Sequence, residues 1–183
     1  MTKADEQLLM QQLTDPKNQR TAFERLVREY SEQLYWQVRR MVLSHDDAND
    51  VLQNVFLKAW QHLDDFHHDA KISTWLYRIA VNESLDFLRR KKNQLVVSAD
   101  DESQSVSQTL LADRYFDGDH TQAMLQEAIA QLPDVQRTVF NLRYFDDMKY
   151  SDISALLHTS EGALKASYHI AVKKISEFFK SRD

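Results

Sequence analysis

The chain has 183 residues, with only 2 glycines, 2 prolines and no cysteine. Those counts lie far below the usual shares of about 7% Gly and 5% Pro, which argues against β-sandwiches, barrels and Gly-turned parallel sheets. Gly118 and Gly162 stand too far apart for a phosphate-cradling loop, and without cysteine a disulfide framework, a thiol nucleophile and cysteine-ligated zinc are excluded. No apolar run approaches the roughly 18 residues of a membrane span, and the polar N-terminus lacks a signal-peptide pattern. The expectation is an all-α, cytoplasmic protein.

The formal net charge of −5 is unevenly placed. Residues 1–19 carry 2 basic and 3 acidic groups, residues 20–92 carry 12 and 11, residues 93–127 carry 1 and 7, and residues 128–183 carry 8 and 7. The acidic excess therefore lies in one middle stretch between two nearly neutral blocks. An acidic chain of this kind can still bind nucleic acid through either block.

In chain order, residues 5–13 predict a short helix. Phe23, Leu26, Val27, Tyr30, Leu34, Val38 and Met41 then step by three and four, the spacing of one apolar helix stripe. A second stripe follows in Ala48, Val51, Leu52, Val55, Phe56, Ala59, Trp60 and Leu63, with Ser44 and Asp47 as a capping pair at its start. Phe56 and Trp60 read as core. A third helix begins near Ser73 and runs into Arg89, Arg90, Lys91 and Lys92, cations suited to a helix C-terminus. Together these predict an N-terminal helix bundle over residues 1–92.

Residues 93–120 are rich in Ser, Asp and Gln, and their few apolar residues keep no period, which predicts an acidic flexible linker. Two readings stay open for it. It is a solvated spacer, or its acidity keeps neighbouring basic surfaces off DNA.

Residues 121–183 predict four helices. The first, 121–131, stops at Leu132-Pro133, because the residue before proline avoids the α region. Pro133 opens the second, 134–145. A turn at Asp146-Asp147-Met148 leads to a short helix, 150–157, and Ser160 caps a long one to about Phe179. Leu164, Tyr168, Ala171, Ile175 and Phe178 form its buried stripe. A short helix, a tight turn and a capped second helix make a helix-turn-helix.

Three stretches, Asp47–Trp60, Ser73–Lys92 and Leu132–Ile175, together resemble bacterial extracytoplasmic-function sigma factors. They correspond in order to that family's regions 2.2, 2.3–2.4 and 4. The resemblance implies two small helical domains, residues 1–92 and 121–183, joined by the linker at 93–120. It implies that the protein binds core RNA polymerase through its β′ and β subunits, recognises promoter DNA and promotes strand opening. Many relatives are held inactive by an anti-sigma factor that clamps the two domains, so the resemblance admits such a partner here as well.

By the same resemblance, Asp47, Asp50, Gln53, Asn54 and Leu57 form the face that docks on a β′ coiled coil. A carboxylate-and-amide face with one projecting apolar residue suits a basic partner. Trp75, Arg78, Asn82, Leu85 and Arg89 step 3, 4, 3, 4 along one side of the third helix. Of these, Trp75, Arg78, Asn82 and Arg89, with Arg90 and Lys91, are the candidate −10 contacts. An aromatic ring, an Arg and an Asn can stack a base, hold phosphate and read a base edge. Trp75 admits core packing equally well. Leu76, Ile79, Ala80 and Phe87 lean toward the bundle.

The loop at 64–72 contains His67, His68 and Asp69, but no further His or Cys stands at ligand spacing, and no metal is expected. In the family this loop forms a pocket for a flipped base. For the −35 duplex the candidates are Ser160, Glu161, Ala163, Lys165 and His169, since recognition helices lead with their N-terminal residues. Ser167, Ile170 and Val172 stand where relatives often carry arginines, which predicts fewer phosphate contacts and a shallower salt dependence. His158 occupies the position of a turn glycine.

Two rival classes stand against this reading. A polymerase-independent helix-turn-helix regulator would explain the C-terminal block but not the patterns at Asp47–Trp60 and Ser73–Lys92. An enzyme has no nucleophile–base spacing, His-Glu zinc motif or Gly-rich loop to support it, so neither catalytic residues nor cofactors are expected.

Overall fold

The computed structural model describes residues 3–66, 71–95 and 118–182, with side chains over 5–66, 71–92 and 118–182. The described residues are helical and form no strand: α1 (Lys3–Thr14), α2 (Gln19–Val42), α3 (His45–Gln61), a 3-10 turn (Leu63–Asp65), α4 (Ile72–Leu95), α5 (His120–Ala130), α6 (Asp134–Tyr144), α7 (Tyr150–Leu157) and α8 (Glu161–Lys180). The chain divides into two compact units, Met1–Ser98 and Ala99–Asp183. His67, His68, Asp69 and most of the expected linker lie outside the described residues.

In the first unit α2 packs on α1, α3 and α4, and α3 packs on α4. The apolar stripe of α2 buries Leu26, Tyr30, Leu34, Val38 and Met41, while Phe23 and Val27 are half-buried. Fully burying a side chain of this size contributes about 1.5–3 kcal/mol. The helix stops at Leu43, which adopts a left-handed conformation with φ 68° and ψ −12°. Its N–H donates to the Arg39 carbonyl at 2.9 Å, and the buried Arg39 guanidinium donates to the Leu43 carbonyl in return. This tight turn brings α3 back beside α2. Ser44 then caps α3 by accepting from the Asp47 N–H at 3.4 Å, as its spacing predicts.

Ala48, Val51, Val55 and Ala59 carry the buried face of α3. Trp60 departs from its expected place in the core: it is 43% exposed and meets Phe23 edge-on, with ring centroids 5.0 Å apart. Leu52, Phe56 and Trp60 step by four along the rim of the stripe, where Leu52 and Phe56 are only half-buried, while Ala59 and Leu63 on either side of Trp60 stay buried.

In the second unit α8 packs against α5, α6 and α7. Its core joins Ala128, Ile129, Leu132, Phe140, Ala171 and Ile175, with Tyr168 and Phe178 packed partly against them. Tyr144, Phe140 and Tyr168 stack in a column, at centroid spacings of 5.1 and 5.6 Å. Helix α5 begins earlier than expected. Asp119, one of the linker's acidic residues, is its N-cap and accepts from the Gln122 N–H at 2.8 Å. The carboxylate belongs to the helix because it satisfies an otherwise unpaired first-turn donor and faces the positive end of the dipole.

Candidate functional site

The exposed side of α3 presents Asp50, Gln53, Asn54 and Leu57, with Asp47 half-buried at its start. Burial of Ala48, Val51 and Val55 on the opposite side forces these residues outward. Leu57 is 58% exposed, an apolar side chain projecting from a polar face. On α4, Arg78, Asn82, Arg89, Arg90 and Lys91 are exposed, while Leu76, Ala80 and Val81 are buried. Trp75 is half-buried against Phe66, with centroids 4.9 Å apart, and one side of it opens into a hollow beside His62 and Asn82. Ile79, expected to lean into the bundle, lines that same hollow. At α4's pitch it sits one turn from Trp75, so it shares that side rather than the side of Leu76 and Ala80.

The two faces meet along a single groove between α3 and α4, where Asn54 and Leu57 stand opposite Arg89 and Arg90. Its floor is an ion pair between Lys58 and Glu83. Neither residue is singled out by the sequence pattern. The signal lies in spacing, for Glu83 is a carboxylate at the buried register of α4, three residues from Ala80. At the rim Arg89 pairs with Asp86 at 3.1 Å, and Lys91 reaches across to Asp47 at 2.7 Å. Charges expected on separate surfaces are therefore bonded to each other.

In the second unit Ser160 caps α8, its hydroxyl accepting from the Ala163 N–H at 3.3 Å. The first-turn residues Glu161, Gly162 and Ala163 are exposed, and the space around the Gly162 Cα is open. Lys165 is exposed, lies 3.6 Å from Glu161 and sits over the Tyr150 ring at 5.6 Å; His169 is exposed one turn further on. Ile170 and Val172 are exposed, and Ser167 is half-buried. The turn between α7 and α8 has His158 at φ 52°, ψ 41°, the left-handed conformation that glycine adopts without strain.

A second left-handed residue, Asp147 at φ 46°, closes the α6–α7 turn. Arg143 holds that turn by donating to the Asp147 carboxylate at 2.7 Å and to the Met148 carbonyl at 3.3 Å. The Asp147 hydrogen bond raises the Arg143 pKa further above its usual value. At the other end of α6, burial lowers the pKa of Arg137, opposed by Asp134 at 2.7 Å. Among the described residues no group of His, Cys, Asp and Glu is placed to hold a metal, and no helix is long and apolar enough to cross a membrane.

Two family models match the chain in the order of its two units: Sigma-70 region 2 over residues 26–94, and Sigma-70 region 4 over residues 122–175. The chain is 31% identical over 161 residues to the ECF RNA polymerase sigma factor SigW of Bacillus subtilis, covering 84% of this chain and 86% of that protein. It is 32% identical over 180 residues to the ECF RNA polymerase sigma-E factor of Escherichia coli K12, covering 86% and 90%. In fold it is similar to the sigma factor RpoE of Bartonella quintana, solved with the anti-sigma factor NepR, at a TM-score of 0.70 and 22% identity over 86% of this chain and 96% of that one. It is likewise similar to CnrH, solved with the cytosolic domain of CnrY, at a TM-score of 0.68 and 23% identity over 98% and 99%. The chain belongs to the extracytoplasmic-function family of RNA polymerase sigma factors.

Proposed function

We propose that this sigma factor docks on core RNA polymerase through Asp47, Asp50, Gln53, Asn54 and Leu57 of α3. Its α4 face, with Trp75, Arg78, Asn82, Arg89, Arg90 and Lys91, binds the melted −10 strand. Ser160, Glu161, Ala163, Lys165 and His169 at the start of α8 approach the base edges and backbone of the −35 duplex, Lys165 as a phosphate contact. The observation that carries this reading is the shared groove, one wall of which is the amide-and-leucine face of α3 and the other the arginines of α4. A basic protein partner suits the acidic start of α3, and phosphate suits the arginine rim. The half-buried Trp75 beside Asn82 supports stacking of an unpaired base next to an amide that reads its edge.

The protein acts in the cytoplasm as an initiation factor, without catalysis of its own, and an anti-sigma factor is a further partner. A polymerase-independent helix-turn-helix regulator is not favoured, because it leaves the region 2 match over residues 26–94 without a role. Transcription in vitro with purified core enzyme over a promoter library tests the function. Charge reversal at Asp50 combined with Gln53→Ala tests the docking face, with a loss of core binding of about tenfold expected at unchanged circular dichroism. Wild-type affinity in that variant would move docking elsewhere.

A further inference from the structure

Lys91 Nζ and the Asp47 carboxylate are 2.7 Å apart, bridging the end of α4 to the start of α3 across 44 residues of sequence. We propose that this ion pair links polymerase docking to DNA binding, each group becoming more available to its own partner once the other is taken. The proposal rests on the assignment of Asp47 to docking and Lys91 to phosphate. Its content is that the two sites are coupled through one contact.

The geometry carries the coupling. A phosphate oxygen on the Lys91 ammonium while Asp47 stays bound would bring two anions within a few ångströms of each other, so phosphate and carboxylate compete for the same cation. A cationic group from a docking partner likewise competes with Lys91 for Asp47. The exchange is easy in both directions because the pair is partly open to water, the side chains being 23% exposed for Asp47 and 45% for Lys91. After exchange neither group is stranded. Asp47 lies in the first turn of α3, where the helix dipole favours a carboxylate, and Lys91 retains the Phe87 ring at 5.8 Å. The neighbouring Arg89 is held more weakly, by Asp86 of its own helix at 3.1 Å, and that contact does not reach the docking face.

An ion pair this exposed sets the size of the effect at about two- to fivefold. The test uses the full chain without polymerase and a labelled single-stranded 12-mer of mixed sequence, followed by fluorescence anisotropy across a salt series. D47N should bind the oligonucleotide about two- to fivefold more tightly than wild type, with a salt slope steeper by about 0.7, the equivalent of one added phosphate contact on a single strand. D50N, which removes the same charge from an exposed position one turn along, should gain less. The gain should vanish in D47N/K91Q. Because coupling is reciprocal, K91Q should bind core polymerase more tightly by a similar factor.

A D47N gain no larger than that of D50N, a gain that survives in D47N/K91Q, or unchanged core affinity in K91Q would each overturn the coupling. Holoenzyme on a forked promoter duplex separates this from failure of the underlying assignment. There Lys91 is free, so K91Q should lose affinity and salt dependence. That loss without a D47N gain in the free protein overturns the coupling alone, whereas no loss in holoenzyme overturns the assignment of Lys91 to DNA.

Discussion

Lys58 on α3 is hydrogen-bonded to Glu83 on α4, and the Glu83 side chain is only 6% exposed. A carboxylate that far from water needs its cation, because desolvation is offset only by the partner's attraction. The pair ties together the two helices whose outer faces form the candidate site.

Lys58→Met should therefore destabilise the first unit. Breaking a buried pair costs about 3–5 kcal/mol, and the half-exposed Lys58 places this case lower, near 2 kcal/mol. Lys58→Met with Glu83→Leu should recover most of the loss. Urea midpoints of the two variants check this, and equal midpoints would show that the pair is not what holds Glu83.

The two DNA faces should fail differently. Asn82→Ala should leave duplex binding intact but reduce strand opening at the −10 element, read as permanganate reactivity of promoter thymines. Lys165→Ala should weaken −35 duplex binding across sequences alike and lower the salt slope by about 1, as expected of a phosphate contact. Normal melting in the Asn82 variant would remove that residue from the −10 surface.

His158 is held at φ 52° without the freedom of glycine. Left-handed geometry costs an ordinary residue about 1–2 kcal/mol. His158→Gly should stabilise the second unit by about 1 kcal/mol, raising its melting temperature by about 4–8 °C. A calorimetric transition that stays in place or falls would mean the histidine side chain contributes more than the strain costs.

Tyr30 is buried, and that burial, reinforced by the charges of Glu6 and Glu29, raises its pKa from 10.0 to about 12. The folded protein keeps the neutral phenol where the unfolded chain has already ionised. Stability from this group is fully present below pH 10 and is lost as the pH rises toward 12. The unfolding free energy of wild type, from urea titrations, should fall between pH 9.5 and 11.5 by on the order of 2 kcal/mol. Tyr30→Phe should flatten that fall, and an equal fall in the variant would assign it to other groups.

The helices were legible in the sequence because their signals are local. Periodicity placed the stripes of α2, α3 and α4, and Ser44 and Ser160 marked the helix starts at which their hydroxyls indeed cap. Pro133 marked a break for the same reason, since backbone geometry at one residue depends on its own chemistry, whereas His158 was singled out only by the family resemblance, as the position of a turn glycine. The outward directions of Asp50, Gln53, Leu57, Asn82 and Lys165 followed from the same 3.6-residue pitch.

What only the tertiary structure decided is which of those surfaces touch. Periodicity gives each residue an angle about its own helix axis and says nothing of the neighbour across the gap. Lys58 with Glu83, Asp47 with Lys91, and Arg182 with the buried Glu127 at 2.6 Å are separated by 25, 44 and 55 residues. Trp60 is exposed and Ile79 lines the hollow beside Trp75 because both lie at the rim of their stripes, where the neighbouring helix decides how far a side chain is covered. The groove itself exists only when two helices lie side by side, so its floor and rim belong to the packing rather than to any stretch of chain.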